Sequence, residues 1–400
     1  MILKNLYCNK KNYIKIAFIL NFNFSNWHGG FNVITNLIEG ISKKKKYKIV
    51  FITKELLSNN EKEILKNKTV IKTNLFNKNR INFYYNILLI TLFGKSNNFD
   101  NFFQKHNIDI ISHTSYSGTN SIAKSIFWIP DFQHLEIKKN FSLFYRLVRE
   151  INFRFAIQNS NIILFSSKTM LASFKKYYNF YKIEYLVNKF SFPTNYKITP
   201  KVVKAVKKKY GIGDKYFYIG NQYWEHKNFE LIINSLKYLR DKLGNTRIQI
   251  ISSGSPNGKN DCTYFKKIMN LVKYNNFKNN FIYIGIVSRN EVDILIAGSL
   301  AVINPSVYEG WNATVEQAKS LNKKTILSNI QVHREQKDRN TYLIKSNDDV
   351  SLSKILDNLE RKGSNYLQLN NIFLKKNKIL FTKYISSYLA ALNNLLKYND

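Results

Sequence analysis

Glu309 and Glu316 flank the run Gly310-Trp311-Asn312-Ala313-Thr314-Val315, three residues after the stretch Ala301-Val302-Ile303-Asn304-Pro305. The pattern predicts a strand end, a glycine turn and a helix that begins near Asn312 or Ala313. The unpaired N–H groups of such a helix start, with its dipole, form an anion site suited to a diphosphate. Glu309 falls in the turn before the helix and Glu316 about one turn inside it, so both carboxylates can face one cleft. Carboxylates beside a phosphate site are unfavourable unless they bind hydroxyls, as on a ribose or a hexose. The plain alternative is an ordinary strand–turn–helix, whose first turn favours a glutamate in any case.

Other residues could join this chemistry. Lys227 follows the strand pattern Tyr216–Gly220, and a point cation there suits a diphosphate. Gly29 and Gly30 follow the first apolar run and open a helix, where a glycine pair lets the backbone approach a ligand closely. His113 falls just past the strand pattern Ile108–Ser112, and Asp131 and His134 just past Ser125–Ile129. Strand-end positions aim polar side chains toward a cleft, although a lone histidine is more often structural. His28, His106, His226 and His333 read as structural or peripheral.

The elements that must position these groups alternate along the chain. Short β-rich apolar runs separated by helical patterns are the signature of βαβ units and parallel sheets. The alternation runs from Lys15 to about Ser166. It is broken near residue 195 by Phe192-Pro193-Thr194-Asn195 and Thr199-Pro200, and restarts at Tyr216. The fold class read from this is α/β, as two doubly wound Rossmann-like domains with a cleft between them. The divisions are a first domain over 1–195, a linker over 196–212, a second domain over 213–375, and a helix over 376–400 that returns to the first domain. A helical pattern between two of the first domain's strands carries Leu143, Phe144, Leu147, Val148, Ile151 and Phe155 on one face.

Composition bounds the function. The 400 residues exceed one compact core, and 44% hydrophobic and 15% aromatic content suffices for two. Cys8 and Cys262 lack both disulfide-framework and zinc spacing, which fits a reducing, cytoplasmic location. A net charge of +36 attracts phosphate-bearing partners, although much of the excess is what a Lys- and Asn-rich codon bias would place on any solvated face. The basic N-terminal stretch Met1–Tyr13 precedes an apolar run too short for a signal-peptide core. No Asp-x-Asp pair, zinc spacing or Gly-x-Ser-x-Gly elbow occurs, and the first βα turn lacks Gly-x-Gly-x-x-Gly. No bound metal and no cofactor are therefore expected.

The segment Asn304–Glu316 resembles the paired-glutamate motif of the family-four (group 1) retaining glycosyltransferases, which have the GT-B fold. The usual motif has seven residues between its glutamates, and here Glu309 and Glu316 have six. The continuation through Glu316-Gln317-Ala318 and Ser328–Glu335 is similar to a subgroup with that shorter spacing; a register one residue later would put Gln317 in the second place. Tyr218–Asn228 is similar to the family's first C-domain strand and loop, where an arginine and a lysine hold the donor phosphates. Lys227 matches the lysine, and Asn221 or Gln222 stands where the arginine would be. Trp27–Phe31 resembles the family's glycine loop, and His113 a cleft histidine.

The resemblance implies retaining transfer from a nucleoside-diphosphate sugar. It makes Glu309, His113 and Asp131 the catalytic group. The donor would rest on Gly29, Gly30, Asn221, Gln222, Lys227, Gly310, Trp311, Asn312, Ala313, Thr314 and Glu316, and His134 would lie on the acceptor side. A lipid-linked glycan of the cell envelope is the acceptor class implied. Lys43–Lys46, Lys138-Lys139 and Lys175-Lys176, with Phe141, Phe144, Tyr145, Tyr177, Tyr178 and Tyr181 nearby, suit an anionic membrane surface on the cytoplasmic side. Two rivals stand beside this reading. A nucleotide-sugar-binding protein of the same fold without catalysis fits the missing arginine. A basic nucleic-acid-binding protein fits the charge but not the glutamates, and no nucleic-acid motif accompanies it.

Overall fold

The computed structural model describes residues 13–20, 28–55, 62, 65–193, 198–257, 262–363 and 371–397. Cys8, Trp27 and the linker positions 194–197 lie outside the described residues.

Two parallel sheets organise the chain. The first has the order β3-β2-β1-β4-β5-β6-β7, from β1 (Ile14–Leu20), β2 (Tyr47–Thr53), β3 (Val70–Lys72), β4 (Ile110–Ser112), β5 (Lys124–Ile129), β6 (Ile162–Phe165) and β7 (Glu184–Val187). The second has the order β10-β9-β8-β11-β12-β13, from β8 (Phe217–Gly220), β9 (Ile250–Ser253), β10 (Phe281–Tyr283), β11 (Val302–Asn304), β12 (Thr325–Ser328) and β13 (Thr341–Ile344). Every pairing is parallel. Runs such as Ile16-Ala17-Phe18-Ile19-Leu20 are buried throughout, as strands covered on both faces must be. The expectation of two doubly wound α/β domains holds.

Strand order reverses between β1 and β4 in the first sheet and between β8 and β11 in the second. The loops beyond the carboxyl ends at such switch points are where this architecture opens a crevice. Beyond these strand ends lie Gly29-Gly30 in the first turn of the helix His28–Ser42, His113, Asn221–Lys227 and the segment from Pro305 to Asn312.

The helices of the first half are α1 (His28–Ser42), α2 (Ile81–Phe93), α3 (Asn97–Lys105), α4 (Gln133–Glu136), α5 (Leu143–Gln158) and α6 (Lys168–Tyr178). Alternate residues of β1 separate its two faces. Ile16 and Phe18 share a core with Leu37 and Ile41 of α1, whereas Ala17 and Ile19 share one with Phe83 and Ile90 of α2. In the second half α7 (Pro200–Tyr210), α8 (Phe229–Leu243), α9 (Thr263–Tyr274), α10 (Arg289–Gly298), α11 (Ala313–Ser320), α12 (Gln331–Gln336) and α13 (Asp349–Lys362) surround the second sheet. Helix α7 starts on a Thr199 cap with Pro200 in its first turn and ends on Gly211 in the left-handed region, so its limits follow from local chemistry.

The last helix, α14 (Asn371–Lys397), packs on α1, with Phe381, Ile385 and Tyr388 in the α1 core. A Cβ on Gly40 would fall 2.2 Å from Ile385 Cδ1, so a larger residue there would have to displace the Ile385 side chain. Among the described residues no helix is long and apolar enough to cross a membrane.

Candidate active site

The loop after β11 is held from three sides. Ser306 Oγ donates to Asn304 Oδ1 at 2.6 Å, Ser328 Oγ donates to the Ser306 carbonyl, and Val307 N donates to the His226 carbonyl at 2.8 Å. That last bond ties the loop to the short 3-10 turn Glu225–Lys227, which ends at Asn228 in the left-handed region. Asparagine tolerates that conformation, and Asn228 Nδ2 also bonds the carbonyls of Pro305 (3.1 Å) and Ser346 (2.8 Å).

This framework brings Lys227 to Glu309. Lys227 Nζ donates to Glu309 Oε1 at 2.7 Å, and Asn312 Nδ2 donates to the same oxygen at 2.8 Å. Asn312 also caps α11, its Oδ1 accepting from Val315 N at 3.0 Å. Burial alone would raise the Glu309 carboxyl, but Lys227, helped by His226 and His333, brings it down to about 2. Glu309 is therefore a fixed negative charge at any working pH.

Glu316 is shifted the opposite way. Burial raises its pKa, and Lys319 Nζ (2.9 Å) and Gln336 Nε2 (3.0 Å) only partly offset that. Gln336 is fully buried; its amide also bonds Asn312 N (3.3 Å) and Asn312 O (3.0 Å), so one side chain fixes the helix start and Glu316 together. Gln317 points elsewhere and donates to Asp293 of α10 at 3.1 Å. Thr314 Oγ1 donates to the Gly220 carbonyl at 2.8 Å, joining the start of α11 to the end of β8.

The remaining C-domain positions surround this centre. Asn221 is buried, and Gly254 passes so close that a Cβ there would lie 2.2 Å from the Asn221 carbonyl. Gln222 Oε1 accepts from Trp224 Nε1 at 3.2 Å. Trp311 and Ala313 pack against the first domain's core, with Lys189 Nζ 5.4 Å from the Trp311 ring.

The first domain closes over the motif. A Cβ on Gly310 would fall 1.9 Å from the Pro130 carbonyl, so glycine is required where the Asp131 loop meets the Glu309 loop. Ser167 Oγ donates to the Gly310 carbonyl at 2.9 Å, and Phe132 N donates to Tyr308 Oη at 2.9 Å. Glu335 of α12 reaches across to the start of α6. It accepts from Lys168 N (2.8 Å), Thr169 N (3.1 Å) and Thr169 Oγ1 (3.0 Å), and Lys189 Nζ lies 2.8 Å away.

The first-domain residues singled out from sequence divide into two groups. Gly29 is exposed at the start of α1 with open space at its Cβ position, and the backbone of Gly30 follows it, buried. His113 lies past β4 with φ 65, its Nδ1 2.7 Å from Ser112 Oγ, and burial lowers its pKa to about 3, so the ring is neutral. Asp131 Oδ1 accepts from Arg149 Nη2 at 2.7 Å and from Gln133 N at 3.0 Å. His134 is fully buried, with Nε2 3.2 Å from Glu150 Oε2, and so supports the Asp131 loop from beneath.

Gln336, Glu335, Lys189 and Arg149 complete the arrangement and were not singled out as site residues from sequence. Among the described residues no group of three or more His, Cys, Asp or Glu side chains is placed to hold a metal ion.

The site thus sets a buried carboxylate, paired to a lysine, beside a helix start at a switch point that faces the first domain. Residues 202–386 match the family model of glycosyl transferases group 1. This group 1 match contains Lys227, Glu309, Glu316 and Gln336, and so takes in the whole C-domain half of the site.

Solved structures extend the likeness in fold to nearly the full chain. HepE of Anabaena, in complex with UDP and glucose, is 13% identical with a TM-score of 0.67, covering 96% of this chain and 100% of that one. Sucrose-phosphate synthase of Thermosynechococcus elongatus is 12% identical with a TM-score of 0.68, over 97% of this chain and 100% of its own. A glycosyltransferase of Rickettsia africae is 15% identical with a TM-score of 0.66, over 97% and 98%. None of the curated proteins searched matches the chain.

Proposed function

We propose that the protein is a retaining glycosyltransferase that moves a sugar from a nucleoside-diphosphate donor to a glycan or lipid-linked glycan hydroxyl, without a bound metal. The observation that carries this is the Lys227–Glu309–Asn312 cluster, which places a buried cation, a permanent carboxylate and a helix start at one switch point. The group 1 match over the same residues supports it, as does the fold shared with HepE, whose structure holds UDP and glucose.

In this reading Lys227 and the N–H groups at the start of α11 take up the charge of the leaving diphosphate, with Gly310, Trp311, Ala313 and Thr314 shaping its seat. Gly29 and Gly30 approach the phosphates from the first domain, and Asn221 and Gln222 occupy the loop below them. Glu316 binds the ribose hydroxyls; its partner Gln336 and the burial of Gln317 against Asp293 support that assignment. Glu309 faces the transferred sugar. The bond from the anomeric carbon to the phosphate oxygen breaks, the acceptor oxygen bonds that carbon on the same face, and the acceptor's proton passes to the leaving phosphate. His113, neutral, donates or accepts a hydrogen bond at the sugar, and Asp131 orients the acceptor, with His134 behind it.

Thermal stabilisation by a panel of nucleotide-sugars tests donor binding, since a ligand at about 100 times its Kd adds about 2.7 kcal/mol. Stabilisation by none of them overturns the reading. Stabilisation without turnover on any glycan acceptor would instead identify a sugar-nucleotide-binding protein that lacks catalysis.

A further inference from the structure

Most of the apolar stripe of α5 does not face the core. Leu143 and Phe144 are 79% and 76% exposed, and Leu147 and Ile151 also lie open on the same side. The opposite side of the helix does the packing, through Phe153, Ala156 and Ile157, and its Arg149 holds Asp131. Helix α2 repeats the pattern. It contains no charged residue, buries Phe83, Asn86 and Ile90, and exposes Ile81, Tyr84, Leu88 and Leu92 at helical spacing. Phe155 of α5 packs against the core that holds Phe83 and Ile90, so the two helices cover the same side of the first sheet.

Water would leave so large an open apolar surface only at a cost, and such surfaces mark interaction sites. The ends of these two helices carry cations. Exposed Lys78 and Arg80 precede α2, exposed Lys95 follows it, and exposed Lys138 and Lys139 precede α5. Among the described residues none of the five forms an ion pair. A largely apolar face rimmed by these cations matches an anionic lipid surface, where aliphatic and aromatic groups enter the headgroup boundary and lysines meet lipid phosphates.

We infer that the outer faces of α2 and α5 form a docking surface for an anionic phospholipid membrane. The surface begins beyond the carboxyl end of β5, where Asp131 also lies, so docking sets the mouth of the cleft close to the lipid. Of the basic clusters that the sequence suggested, only Lys138-Lys139 borders this face. Lys43–Lys46 lie at the turn into β2, beyond the α1–α14 side of the sheet, with Lys46 reaching Asn393. Lys175 and Lys176 instead lie over the rings of Tyr185 and Tyr177. The inference does not depend on transferase activity.

The test is co-sedimentation of the full chain with vesicles of phosphatidylcholine alone, or with phosphatidylglycerol added, at low and high salt. The wild type is expected to bind the anionic vesicles at low salt and to release them at high salt. The double variant Leu88→Glu/Leu147→Glu should lose binding by about tenfold or more, and Lys78→Glu/Lys139→Glu likewise. All four positions are exposed, so thermal midpoints should match the wild type and certify the fold. Undiminished vesicle binding by both variants overturns the proposal. So does an absence of anionic-vesicle binding by the wild type; a dimer, seen by analytical ultracentrifugation, that the Leu88→Glu/Leu147→Glu variant abolishes would then assign the face to a second copy of the chain.

Discussion

Lys227 Nζ and Glu309 Oε1 are 2.7 Å apart, and their side chains are only 15% and 8% exposed. Breaking such a buried pair from one side strands the other charge. Lys227→Ala should therefore destabilise the fold by about 3–5 kcal/mol, as well as reduce transfer by about a hundredfold or more. Glu309→Gln keeps the shape and should show a similar loss of transfer. The double variant Lys227→Met/Glu309→Gln separates the two effects, because it leaves no unpaired charge. It should regain much of the lost stability in denaturant unfolding and none of the turnover. A double variant with wild-type turnover would remove both residues from the chemistry.

Glu316 and Gln317 are adjacent yet point to different neighbours, and this yields a second prediction. Glu316→Ala should raise the donor KM more than it lowers kcat, because a ribose contact exists before and during reaction. Gln317→Ala should leave donor binding unchanged and instead lower stability by about 1–3 kcal/mol, since it abandons a buried hydrogen bond to Asp293. Donor titration of the two variants checks this. A donor defect in Gln317→Ala with none in Glu316→Ala would shift the motif by one residue.

The two sheets were legible because buried parallel strands read as continuous apolar runs, and Ile16–Leu20 or Ala301–Ile303 admit no other role. The loops after them could be located for the same reason, which is how Glu309, Lys227 and His113 stood out. Gln336 gave no such signal. It sits far along the chain from Asn312, and only the packing of α12 brings its amide to the start of α11. The stripe on α5 was legible only as a shared face. Periodicity shows that apolar residues share a face, but a core and a lipid surface demand the same periodicity. Only the burial of Phe153 and Ile157 on the other side tells them apart.

Glu335 gives a third prediction, about closure of the cleft. Its carboxylate spans the two domains to cap α6, and Lys189 with the Lys168 and Thr169 amides holds its pKa down against the effect of burial. Glu335→Ala should cost about 0.5–2 kcal/mol, as loss of a helix cap does. The specific readout is hydrogen exchange at the Lys168 and Thr169 amides, which should speed up while the amides of β6 stay protected. Unchanged exchange there would mean that Glu335 does not hold the domains together.

Lys323 supplies the last prediction, one that concerns stability against pH. Its side chain is almost fully buried and its Nζ donates to the Ala297 carbonyl at 2.9 Å. Burial, with the neighbouring Lys324 charge, lowers its pKa from 10.5 to about 8. The folded chain therefore gives up this proton near pH 8, whereas the unfolded chain keeps it to about 10.5. Between those values the unfolded state binds more protons, so stability must rise with pH, by at most about 1.4 kcal/mol per unit. The general relief of self-repulsion in so basic a chain also rises with pH, and comparison with Lys323→Met cancels it. The variant places an uncharged side chain of similar length in the same apolar surroundings, so it should be favoured over the wild type at pH 7 and lose that advantage toward pH 10. Denaturant midpoints at the two pH values measure the difference. Parallel curves for the two proteins would show that Lys323 keeps its ordinary proton affinity in the fold.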